Sequence, residues 1–251
     1  MWPQLDYLLC INLGLYSGSY TRAAAFGHNP AVNSSNTPSD LWSGGGLYPW
    51  PSAAVSLELQ GGVNDTAAGT GARAVLVSGL DTNYQLQTET VVPNGTNWVP
   101  LTKQFLRINS AVITSAGADR TSTAGITIRR VVGSTVQAVI PANKSMTRQS
   151  AFTVPAGQTL VVVGMEAGLI SASGSSTRYA DVDTYFRGPN GVARAPRPIA
   201  CADGQPTTVT PRMGIVVPEK TDFSMQCAFI SAAQDTSVTG AWEGFLRKND
   251  I

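Results

Sequence analysis

NDTAAGTGARAVLVSGLD, residues Asn64–Asp81, joins turn chemistry to a strand within one short span. Its first part, Asn64–Gly71, is built from Asn, Asp, Thr, Ala and Gly, which tolerate tight and left-handed turns. Its second part is rich in Ala, Val and Leu with no polar helical face, as expected of a strand. Three other stretches repeat the combination: DLWSGGGLYPWP at Asp40–Pro51, FTVPAGQTLVVV at Phe152–Val163 and VVPEKTDFSM at Val216–Met225. All four read as strand punctuation, with no catalytic group among them.

Working outward, period-2 or continuous apolar runs occur at Ala54–Gln60, Ala72–Ser78, Gln85–Val92, Gln104–Thr114, Gly125–Val132 and Thr135–Ile140. After the polar break Asn143–Gln149 they resume at Ala151–Val154, Thr159–Leu169, Tyr179–Phe186, Met213–Val217, Phe223–Ser231 and Ala241–Arg247. No window carries a helical i, i+3, i+4, i+7 stripe with capping signals. The expected fold is all-β, an antiparallel β-sandwich of jelly-roll type in two β domains behind an extended N-terminal arm. The expected boundaries are 1–40 for arm and linker, 41–142 for the first domain and 143–251 for the second. The strand–Pro–turn phrases VVPNG, TVPAG and VVPEK mark strand ends, because Pro cannot donate to a ladder.

Charged residues are 13% of the 251, about half the usual share, and the net charge is +1. A surface so sparsely charged gains little solubility from self-repulsion, which suits one partly covered by neighbouring subunits. No basic stripe is present to neutralise phosphates, so nucleic acid is not expected as a partner. Arg129, Arg130, Arg194 and Arg197 read as solvated or interface residues.

The N-terminal run, with Trp2, Leu5, Tyr7, Leu8, Leu9, Ile11, Leu13, Leu15 and Tyr16, lacks a basic leader region and is too short to span a bilayer. No membrane partner is expected. It reads as a sticky assembly arm, on a Ser/Gly/Asn/Pro-rich tether over residues 17–40.

Chemistry is sparse. Cys10, Cys201 and Cys227 fit neither a disulfide framework nor a zinc site, and free buried thiols are the favoured reading over a Cys201–Cys227 bridge. The single histidine, His28, reads as a linker residue, and no nucleophilic triad is in view. The Gly-rich Ala67–Arg73 lacks the helix and Lys of a phosphate loop. Asp181 and Asp183 alternate along one strand face; a calcium or acid/base pair is the functional reading, and a polar face neutralised by Arg178 and Arg187 is preferred. No catalytic residue, metal or cofactor is assigned. Trp42, Tyr48 and Trp50, around Gly44, Gly45 and Gly46, read as a hinge or plug in which glycines turn the backbone while rings pack. The rival reading is a sugar-stacking platform using Trp42, Trp50 and Trp98.

The order DLWSGGGLYPWP, then NDTAAGTGARAVLVSGLDTNYQLQTETV, then FLRINSAVITSAG at Phe105–Gly117, resembles virion structural proteins of tailed bacteriophages. AGITIRR, TVQAVIP, FTVPAGQTLVV and VVPEKTDF follow in the same order. The likeness spans residues 33–230, and the first 32 carry none. It implies a non-enzymatic all-β subunit on the virion exterior, assembled in the host cytoplasm and repeated as a homotrimer or other homo-oligomer. Its implied partners are major capsid, neck or tail subunits. The alternatives are a receptor- or glycan-binding fibre module contacting a host surface glycan, and a polysaccharide hydrolase using Asp181 and Asp183.

Overall fold

A computed structural model describes residues 18–171, 178–189, 191, 193–194, 198–211 and 214–249. The arm positions Trp2 to Tyr16, with Cys10, lie outside the described residues. The described chain is all-β. It begins with β1 (Tyr20–Val32), β2 (Ser39–Asp40), β3 (Val55–Gln60), β4 (Ala72–Leu80), β5 (Leu86–Val91) and β6 (Val99–Phe105). Then come β7 (Arg107–Ala116), β8 (Ile126–Arg130), β9 (Val136–Ile140), β10 (Phe152–Thr153), β11 (Gln158–Ser171) and β12 (Tyr179–Arg187). The last are β13 (Ala193–Arg194), β14 (Pro198–Ala202), β15 (Thr207–Val209), β16 (Ile215–Val217), β17 (Asp222–Ile230) and β18 (Thr236–Lys248).

Two sandwiches result. In the first, the sheet β6-β3-β8-β9 faces β5-β4-β7. Leu57, Leu59, Phe105, Ile126, Ile128 and Ile140 from one sheet meet Val75, Val77, Ile108 and Ala111 from the other in a single core. In the second, the sheet β1-β18-β11-β15, with β16 also on β11, faces β10-β17-β12-β13, with β14 on β12 and β2 on β17. Leu160, Val162, Met165 and Trp242 there pack against Val182, Phe223, Met225 and Cys227. Alternation explains both cores. In β3 the pattern VSLELQ buries Leu57 and Leu59 and turns Ser56 and Glu58 outward, so each sheet has one apolar face to bury. All pairings between the named strands are antiparallel.

One expectation is corrected. Residues 20–32, read as part of a weakly structured tether, form an edge strand of the second sandwich, in register with β18 from Tyr20↔Arg247 to Asn29↔Val238 and, past a bulge, paired again at Val32↔Thr236. Ala23 and Val32 enter its core. The segment TRAAAFGHNP hides this role because its buried positions are held by small or polar residues, Ala23, Gly27 and Asn29. Gly27 is needed there, since a Cβ would meet the Leu41 carbonyl oxygen at 2.1 Å and the Ser150 nitrogen at 2.8 Å. His28 is accordingly a strand residue, with Nε2 2.8 Å from Ser237 Oγ. The second sandwich is therefore discontinuous in sequence, and the first is inserted between β2 and β10.

Candidate functional site

Polar residues of the quoted stretches Asp40–Pro51, Phe105–Gly117, Phe152–Val163 and Val216–Met225 converge where the sandwiches meet. From Asp222 to Cys227, β17 is buried on both faces. Phe223, Met225 and Cys227 point into the core, while Asp222, Ser224 and Gln226 point outward beneath the segment that links the two sandwiches. Asp40 is the acceptor there: Oδ2 takes the Tyr48 N–H at 2.7 Å, and Oδ1 takes Ser224 Oγ at 3.0 Å and Gln226 Nε2 at 3.4 Å. Burial raises the Asp40 carboxyl above its ordinary range, and these three donors pull it back in part.

The turn after Asp40 is shaped by its glycines. Gly45 and Gly46 take φ of 74° and 63°, a left-handed backbone that glycine adopts without steric cost. The indole of Trp42 lies over Gly44, where a Cβ would approach ring carbons at 2.2 Å. Trp42 donates Nε1 to the Gly46 carbonyl at 3.0 Å, and its ring meets Tyr48 edge-on at 5.1 Å. Tyr48 donates its hydroxyl to the Gln137 carbonyl of the first sandwich at 2.9 Å, and burial raises its pKa. Trp42 and Tyr48 are both only 3% exposed. Their faces are not open to a sugar ring, which removes Trp42 from the stacking-platform reading.

Arg107 of β7 spans the junction. Its Nε and Nη2 donate to Asp222 Oδ1 and Oδ2 of β17 at 2.8 and 2.9 Å, a bidentate pair with both residues buried. Its Nη1 donates to the carbonyls of Pro51 and Leu106, and its guanidinium lies 5.4 Å from the centre of the Trp50 ring. Thr153 Oγ1 adds a 2.6 Å hydrogen bond to Asp222 Oδ1. Asn109 exchanges two hydrogen bonds with the backbone of Thr153, at 2.9 and 3.0 Å. Arg107, Asn109, Thr153, Asp222 and Ser224 all lie inside the motifs quoted from the sequence, yet no role was legible for them. A polar residue at an outward strand position looks solvated until a second domain is seen to cover it.

Beside the junction lies a cleft of about 760 Å³, lined by both sandwiches. Its floor is the outer face of β1, β18 and β11, where Ala24, Ala241 and Gly164 leave room and Glu166 and Glu243 stand exposed. Lys144 and Arg148 stand on the opposite wall, the Arg148 guanidinium 5.3 Å from the Phe26 ring centre.

The other sequence candidates are separate. Trp98, half-buried, is covered by Arg129, whose guanidinium lies 3.5 Å from the ring centre and also pairs with Glu58 at 2.7 Å. The Gly-rich Ala67–Arg73 folds around the chain's own carboxylate. Asp65 accepts from the Gly62 and Ala72 N–H groups and from Ser122 Oγ, each at 2.6 Å. Cys201 and Cys227 are free and buried, and burial pushes their thiols up to about 11 and about 12. Asp181 and Asp183 share the outer face of β12, where Asp183 stands opposite Gln226 of β17, whose Nε2 donates to Asp40. Arg178, expected to neutralise them, donates to Thr236 and Gln234. No cluster of three or more metal-ligating side chains occurs among the described residues.

No protein-family model matches this chain, and no curated protein matches it in sequence. Among solved structures it is weakly similar to one of infectious bursal disease virus, Gx strain, at 10% identity and a TM-score of 0.26, over 92% of this chain and 72% of that one. The tandem CBM22-1–CBM22-2 domain of Paenibacillus barcinonensis Xyn10C gives 12% identity and a TM-score of 0.26, over 93% and 94%. The PBSX exported protein XepA gives 9% identity and a TM-score of 0.20, over 90% and 87%. Similarity at this level assigns no role.

Proposed function

We propose that this chain is a non-enzymatic structural protein of a tailed-bacteriophage virion. It sits on the exterior of the head, neck or tail as a homotrimer or other homo-oligomer, and stabilises or decorates the particle. The observation that carries the reading is the junction. The motifs whose order resembles phage virion proteins supply Asp40, Trp42, Tyr48, Arg107, Thr153, Asp222 and Ser224, which lock two sandwiches together. Such side chains serve rigidity rather than turnover. Sparse surface charge supports the same reading, because a subunit surrounded by neighbours needs little self-repulsion. Attachment is assigned to the apolar arm, Trp2 to Tyr16, contacting major capsid, neck or tail subunits.

Quantitative mass spectrometry of purified particles encoding the chain tests this. It should co-purify in a fixed ratio to the major capsid protein. A copy number comparable with that protein points to the head surface, and a far smaller one to the neck or tail. Absence from purified particles overturns the proposal.

A further inference from the structure

We propose that the outer face of β12 and β17 is a binding site for neutral saccharides, formed by Tyr179, Phe229, Asp181 and Asp183. The proposal stands independently of the virion reading.

Two aromatic rings are exposed side by side on this face. Tyr179 is 54% and Phe229 44% exposed, with ring centres 5.6 Å apart and planes 35° from parallel. The ring pairs at the junction and in the second core are, by contrast, covered. The strand pattern sets this face. In YADVDTYFR, Ala180, Val182 and Thr184 are buried, so Tyr179, Asp181, Asp183, Tyr185 and Arg187 project together from the other side. Asp181 lies directly opposite Phe229, because a bulge between Asp181 and Val182 resets the register. On the flank, β14 sets Ala202, Ala200 and Pro198 opposite Tyr179, Asp181 and Asp183, so among the described residues of that strand no large side chain stands beside the rings.

The polar groups are also unspent. Among the described residues neither Asp181 nor Asp183 takes part in an ion pair, whereas Asp40, Asp65 and Asp222 each accept several hydrogen bonds. An ionised carboxylate is an acceptor with about four lone-pair sites. Two of them beside a pair of ring faces call for a ligand with an apolar side and many O–H donors. A sugar ring has both: its C–H face lies on an aromatic ring and its hydroxyls donate to the carboxylates. Two negative charges disfavour an anionic ligand. They also disfavour a second copy of the same face, since a two-fold contact would set carboxylates against carboxylates. Arg187 on the same face disfavours a purely cationic partner.

The test is a glycan array of neutral oligosaccharides probed with the full chain, followed by titration of the best ligand. Wild type should bind at least one neutral glycan. Tyr179→Ala/Phe229→Ala should weaken it at least about tenfold, and Asp181→Asn/Asp183→Asn should weaken it as well. Trp98→Ala should leave it unchanged. Tyr179 and Phe229 are exposed and Asp181, Asp183 and Trp98 partly so, and circular dichroism checks that the variants fold. The proposal is overturned if wild type binds no neutral glycan, or if it binds one that the aromatic variant holds equally well. It is likewise overturned if the aromatic variant changes the oligomeric state while no glycan binds.

Discussion

At the scale of single residues, two positions carry more than their sequence context announces. Gly44 is one: the Trp42 indole occupies the space a side chain would need. Gly44→Ala should destabilise the protein by about 1–3 kcal/mol through overpacking, measured by urea denaturation, with the loss of Trp42 packing visible in its fluorescence. His28 is the other. Burial, and then the charges of Arg148 and Lys144, lower its pKa below 6.5. The folded state therefore binds a proton less readily than the unfolded chain. Stability contributed by neutral His28 is fully present above pH 6.5 and is lost as pH falls through the lowered folded value. It is the only histidine, so the slope of stability against pH just below 6.5 should flatten in His28→Gln, and one imidazole NMR signal should report the folded pKa. The His28 effect could not be read from AFGHNP alone, because Arg148 and Lys144 are distant in sequence.

At the scale of elements, β1 decides how the N-terminus can be cut. Removing residues 1–17 leaves β1 intact, and should give a folded protein that fails to enter particles if the arm attaches it. Removing residues 1–32 deletes the edge strand that pairs along β18 and takes Ala23 and Val32 from the core. The second sandwich should then lose cooperative unfolding and become protease-sensitive, which limited proteolysis of the two truncations distinguishes. Equal protease resistance in both would show that β1 is dispensable. Strands with alternating Val, Ile and Leu, such as β3, β8 and β11, were legible from pattern. β1, β14 and β15 were not, because Ala, Thr and Pro on short or edge strands leave no alternation to detect.

At the scale of the whole molecule, the Arg107–Asp222 pair links the two sandwiches. Asp222→Ala strands a buried guanidinium and should cost about 3–5 kcal/mol, while the double change Arg107→Met/Asp222→Leu, which removes both charges, should cost clearly less. Calorimetry should show a single transition in wild type and a broadened or split one in the double variant, since each sandwich keeps its own core. A single sharp transition in the double variant would mean that the remaining contacts, Tyr48 to Gln137 and Asn109 to Thr153, suffice to couple the units.

The sequence by itself determined that the chain is β-rich, that it has two apolar cores with a break between them, and that its glycines and prolines serve strand connection. Those properties follow from local periodicity and from backbone limits that each residue carries wherever it sits. Only the tertiary structure decided that the first strand belongs with the last, and that outward polar residues of β7 and β17 are buried against each other. It alone set the exposed rings of Tyr179 and Phe229 beside Asp181 and Asp183 of β12. Each of these depends on which faces meet, and the identity of a covering or neighbouring strand is not encoded in the alternation of the strand it covers.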